Sequence, residues 1–129
     1  MILLDTHFVV WLASDDGKLR DAERTLLSET DREIVMSSIS FWEIRVKALA
    51  QARRGLPAPI TVAHALAFAD DIGFRIATPD GQDYATALNP ALTHTDPFDE
   101  MLLTHAQQLG ARLLTRDRLL LDHPLALSA

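Results

Sequence analysis

The sequence predicts an α/β domain of three layers, with a central, mainly parallel sheet of four to five strands and helices on both faces. Two observations predict it. Short runs at 2–4, 34–36, 74–76 and 112–115 are strand-like, and most are apolar throughout rather than alternating, the pattern of strands buried on both faces. A helical stretch separates each run from the next, so successive strands are joined by crossovers, and crossovers make parallel neighbours.

The elements follow in order. Ile2-Leu3-Leu4 is a strand closed by Asp5-Thr6, a helix-capping pair, and a helix through Trp11 follows. Asp15-Asp16-Gly17 is a turn, and the next helix carries Leu19, Ala22, Leu26 and Leu27 on one side. Ile34-Val35-Met36 is the second strand. The segment 37–40 then leads into a helix from about 41 to 53, with Trp42, Val46 and Leu49 at helical spacing. Gly55-Leu56-Pro57-Ala58-Pro59 breaks the chain but is too short for a domain linker. A helix over about 62–71, a third strand at Phe74-Arg75-Ile76 and a helix over about 82–88 come next. Asp96-Pro97 opens a helix with Phe98, Met101, Leu102 and Leu109 on one face, and Gly110 ends it. Arg112-Leu113-Leu114-Thr115 is the fourth strand, and a helical turn and Pro124-Leu125-Ala126-Leu127 complete the chain.

At 129 residues this fits one domain spanning 1–129 with one site. No apolar run approaches the roughly 20 residues that cross a bilayer, so a soluble, cytoplasmic protein without membrane association is expected. Cysteine is absent, which excludes disulfides and thiolate metal sites and leaves oxygen or imidazole ligands. The net charge of −6 argues against gripping nucleic acid by general positive potential. A nucleic-acid substrate needs local help, from cations held by acidic residues or from a basic face such as Arg45, Lys47, Arg53 and Arg54, whose plainer reading is a solvated helix surface.

In a sheet of this kind ligands bind outside the carboxyl ends of the strands. Asp5 ends the first strand, Glu43 lies in the helix after the second, Asp117 follows the fourth, and Asp99 opens the helix leading to it, with Asp96 one turn earlier. Each has an ordinary explanation. Ser40-Phe41-Trp42-Glu43 has the form of a capping box, Asp96-Pro97-Phe98-Asp99 that of a cap with acidic first turn, and Asp5 and Asp117 suit caps or turns. Caps account for each acid but not for four on one edge. Gathered carboxylates repel unless a cation neutralises them, and a hard divalent ion such as Mg²⁺ fits scattered oxygen donors that leave room for water. The chemistry this suggests is metal-assisted phosphodiester hydrolysis. A non-catalytic module in which all the acids are caps is the rival reading. A phosphoacceptor signalling domain is disfavoured, because Met36 is followed by serines and Thr115-Arg116-Asp117 supplies no lysine.

Four segments, Leu3-Leu4-Asp5-Thr6-His7, Ser38-Ile39-Ser40-Phe41-Trp42-Glu43-Ile44 with Lys47, His94-Thr95-Asp96-Pro97-Phe98-Asp99, and Leu114-Thr115-Arg116-Asp117, together resemble the ordered signature of VapC-type PIN-domain toxins. The resemblance covers nearly the whole chain. It implies a three-layer PIN-like fold and endonucleolytic RNA cleavage with Mg²⁺ or Mn²⁺. It also implies inhibition by a cognate VapB-like antitoxin, and a homodimer. By the same resemblance Asp5, Glu43, Asp99 and Asp117 match the family's catalytic acids. Asp5 and Asp117 would be the core metal ligands, Glu43 and Asp99 would complete the site, and Asp96 is accessory. Thr6 and Thr115 match hydroxyl positions that orient a carboxylate or a water. Lys47 and Arg116 are candidates for substrate phosphate, against an ion pair with Glu43 for the first and a solvated side chain for the second. A PIN-type nuclease of RNA processing or DNA metabolism would use the same residues. The five histidines lack zinc-site spacing, and His7, close behind Asp5, is the least ordinary of them. Trp42 is expected to pack between helices, and Phe8 and Trp11 to be core or partner-facing.

Overall fold

The computed structural model describes residues 1–94 and 96–129; Thr95, inside the third of the four matching segments, lies outside them. Five strands form one parallel sheet. They are β1 (Ile2–Leu4), β2 (Ile34–Ser37), β3 (Arg75–Ala77), β4 (Arg112–Leu114) and β5 (Ala126–Leu127), in the order β3-β2-β1-β4-β5. The helices are α1 (Thr6–Ser14), α2 (Asp21–Glu29), α3 (Ser38–Arg53), α4 (Val62–Ile72), α5 (Gly81–Ala85) and α6 (Pro97–Leu109). The central strand, β1, is level with both neighbours: Leu3 pairs with Val35 on one side and with Leu113 on the other.

The pleat divides the core between the two faces. Ile2, Leu4, Met36 and Leu114 pack against Phe8 and Val9 of α1, Ile44 of α3, and Ala65 and Ala69 of α4. Leu3, Val35 and Leu113 pack on the opposite face against Leu102, Leu103 and Ala106 of α6. This is the expected three-layer arrangement, and it explains why β1 is fully buried along its length. The fifth strand is two residues from the closing apolar segment, held by the Leu113 and Thr115 amides donating to the carbonyls of Leu125 and Leu127 at 2.7 and 3.0 Å.

Three expectations are revised. The helix after β2 starts at Ser38, one turn earlier than expected, because Ser37 rather than Ser40 is its cap: the Ser37 hydroxyl accepts from the Ile39 amide at 3.1 Å. Glu43 is therefore in the second turn and takes no part in a capping box. The third strand begins at Arg75 rather than Phe74, since Gly73, at φ 77°, caps α4 in the left-handed conformation and Phe74 completes the turn. On α3 the buried side is Ser40, Phe41, Glu43 and Ile44, while Trp42, Val46 and Leu49 face outward, with Trp42 59% exposed. Apolar residues lie all round this helix, so their spacing does not select its inner face.

Candidate active site

The carboxyl edge of the sheet collects the acids. Asp5 follows β1 and occupies the cap position of α1, yet its carboxylate caps nothing; it accepts instead from the Thr115 hydroxyl at 2.6 Å. Thr115 in turn accepts from the Asp117 amide at 3.0 Å, so one hydroxyl joins the ends of two neighbouring strands. Burial pushes the Asp5 carboxyl above its usual range and Glu43 adds to this, outweighing the Thr115 hydrogen bond and the nearby His7 ring. Glu43 reaches the same region from α3. Its Oε1 accepts from the Thr6 hydroxyl at 2.7 Å, its Oε2 meets Lys47 Nζ at 2.5 Å, and Thr6 lies 2.9 Å from the Ser40 hydroxyl.

Asp99 approaches across the edge from α6. Asp96 caps that helix, accepting from the Phe98 and Asp99 amides at 2.9 and 3.1 Å, which sets Asp99 in the first turn. The Asp99 carboxyl is pushed up to about 7, first by burial and then by the charges of Asp96, Asp5 and Asp117, with His94 opposing. That shift ties the α6 acids to those after β1 and β4. Asp117 accepts from the Leu119 amide at 2.9 Å and is half-buried. Asp5, Glu43, Asp99 and Asp117 thus share one edge, with hydroxyls directing two of them. Among the described residues no three Asp, Glu or His side chains are grouped so as to hold a metal ion as they stand.

The remaining candidates divide. Lys47 is paired with Glu43 but well exposed. Arg116 is committed elsewhere, and this departs from a phosphate contact. Its Nε donates to Glu23 Oε2 at 2.6 Å, its Nη2 contacts Glu23 Oε1 and the Lys18 carbonyl, and its guanidinium lies 4.2 Å from the centre of the Trp11 ring. His7 is exposed and stacked on Trp11. Phe8 is core and not partner-facing, whereas Trp11, with Thr6, His7, Ile44, Lys47 and Ile60, lines a groove of about 400 Å³ beside the acids.

Sequence reading missed several partnerships. Glu23 carried no signal as the mate of Arg116, 93 residues away. Ser37 bonds the buried His105 ring at 2.8 Å, which ties α6 to the start of α3, and burial pushes that imidazole below its usual range.

A model of the PIN domain family matches residues 2–124. The chain belongs to the PIN domain family. Within that family it is VapC-like: it is 30% identical over 122 residues to Ribonuclease VapC22 of Mycobacterium tuberculosis, covering 95% of this chain and 91% of that one. This PIN domain also superposes on a chain in the crystal structure of VapBC2 from Rickettsia felis bound to a DNA fragment from their promoter. The TM-score is 0.61 at 18% identity, covering 100% of this chain and 98% of that one, a likeness of fold.

Proposed function

We propose that this PIN domain is a Mg²⁺-dependent endoribonuclease, with Mn²⁺ able to substitute, and the toxin of a type II pair restrained by a VapB-like antitoxin. The observation that carries the reading is the convergence of Asp5, Glu43, Asp99 and Asp117 from separate elements onto one edge, without enough cationic side chains among them to balance their charge. The four side chains are all carboxylates, hard oxygen donors of the kind that suits a divalent ion retaining water. When bound, such an ion supplies charge neutralisation and Lewis acidity toward a phosphodiester.

The chain's own residues do the rest. Thr115 fixes the plane of the Asp5 carboxylate, and Thr6 with Lys47 fixes that of Glu43. Both Glu43 oxygens are engaged, so Asp5, Asp99 and Asp117 would hold the ion, with Glu43 completing the site. Lys47 is exposed enough to meet substrate phosphate as well as Glu43. An antitoxin segment seated in the groove lined by Trp11, His7 and Lys47 would reach the acids. Self-association through the outward apolar face of α3 completes the proposal.

The test is Asp5→Asn, a near-isosteric change. The variant is expected to fold, to show no RNA cleavage on total RNA with Mg²⁺, and to relieve growth arrest on expression without antitoxin. Cleavage at the wild-type rate by the folded variant refutes the site. Cleavage by the wild type without growth arrest points to an RNA-processing nuclease instead.

A further inference from the structure

His94 stands just before α6, two residues ahead of the Asp96 cap. Its side chain is 19% exposed, but the Nε2 atom is fully buried and has no hydrogen-bond partner among the described residues. Buried polar atoms are nearly always paired, so one left over needs an explanation. The atom in front of it is Asp99 Oδ2, at 3.9 Å.

The ring's other nitrogen settles what His94 can offer. Nδ1 accepts from the Asp96 amide at 3.4 Å, so Nδ1 bears no proton, and in the neutral ring the proton sits on Nε2. An Nε2–H cannot ligate a metal. It is a donor, and the Asp99 oxygen 3.9 Å away stands about 1 Å beyond the distance of a formed N–H···O bond. The Asp96 residue fixes both sides of this contact: its amide holds the His94 ring, and its carboxylate holds the Asp99 amide. The ring and the Asp99 backbone are therefore both tied to the start of α6.

We propose that His94 is a positioning residue for Asp99: its Nε2–H donates to Oδ2 and leaves the other carboxylate oxygen to face a divalent cation. Carboxylate ligands are ordinarily held by such outer hydrogen bonds, whose loss costs roughly 10–100-fold in metal affinity or activity. The inference rests on the metal-site reading above and adds a residue that takes no cation itself.

Two substitutions separate donor position from polarity. His94→Gln places an amide N–H where Nε2 stands, and His94→Asn reaches only as far as Nδ1. Mn²⁺ binding to the full chain is measured without substrate, by electron spin resonance of the free ion and by the rise in melting temperature. The wild type and His94→Gln are expected to bind alike, and His94→Asn roughly 10–100-fold more weakly. RNA cleavage by His94→Asn should recover at saturating Mn²⁺. Equal Mn²⁺ affinity in all three overturns the role of His94 while leaving the metal site standing, as does a cleavage defect in His94→Asn that saturating ion does not relieve. Absence of Mn²⁺ binding by the wild type overturns the site itself and His94's role with it. Should His94→Asn fail to fold, His94→Leu replaces it with the same expectation.

Discussion

Glu23 and Asp5 are both shielded from solvent, 3% and 5% exposed, yet the fold treats them oppositely. Burial raises the pKa of each. At Glu23 the Arg116 hydrogen bonds, the Arg20 amide and the Arg116 charge overcome burial and leave the carboxyl below its usual range. At Asp5 a neutral hydroxyl and a more distant imidazole are the main opposing groups, another carboxylate works the other way, and the value stays up. The first acid has a guanidinium as its counterion; among the described residues the second has only the more distant His7 ring. A structural acid and a ligand-seeking acid, both closed off from solvent, differ here in two ways: Glu23 has a guanidinium partner, and Asp5 lies deeper, where burial pushes its carboxyl up harder.

The largest test of that contrast removes one charge from each place. Glu23→Gln leaves the part-buried Arg116 without its charge partner and is expected to cost roughly 1–3 kcal/mol, the penalty for a hydrogen-bonded group left unsatisfied. Asp5→Asn removes an uncompensated charge and is expected to leave stability unchanged or higher when a chelator is present. Urea unfolding of both variants decides it. A loss at Asp5→Asn as large as that at Glu23→Gln makes the two acids alike and removes the distinction.

The same contrast shows what was legible in the sequence. Strands β1, β2 and β4 were readable because they are short runs buried on both faces, and Asp96-Pro97 marked the start of α6 by cap chemistry that acts within three residues. The convergence of the acids was readable because parallel topology fixes which edge a residue after a strand must occupy. The Ser37 cap and the pairing of Arg116 with Glu23 were not. A cap choice between Ser37 and Ser40 depends on where β2 ends, and a pair spanning 93 residues depends on how α2 packs, which no local pattern records.

A smaller effect is expected from pH, with opposite signs at the two kinds of acid. Glu23 sits below its usual 4.5 in the folded state, so folding favours its ionised form. That stabilisation is present above pH 4.5 and is lost as pH falls through the lower folded value. Asp99 moves from 3.8 to about 7, so folding favours its neutral form. Between those values the folded state keeps a proton the unfolded chain has released, and stability falls as pH rises. With chelator present, the wild-type urea midpoint should therefore decline more steeply from pH 4.5 to 7 than that of Asp99→Asn. Equal slopes mean that Asp99 titrates as an ordinary surface acid.

The smallest expected effect lies on the exposed surface of α3. Trp42 is a large apolar side chain left outside the core, with the Arg45 guanidinium 5.9 Å from its ring centre as an aromatic–cation contact. In a dilute monomer Trp42→Ala gives up that contact and little buried area, so it is expected to cost under about 1 kcal/mol. If a second copy covers this face, association stabilises the folded state by mass action, and the cost of Trp42→Ala must grow with protein concentration. Unfolding measured across a concentration series therefore reads one residue in two roles. A cost that stays small at every concentration excludes the outward face of α3 as the surface through which the chain pairs with itself.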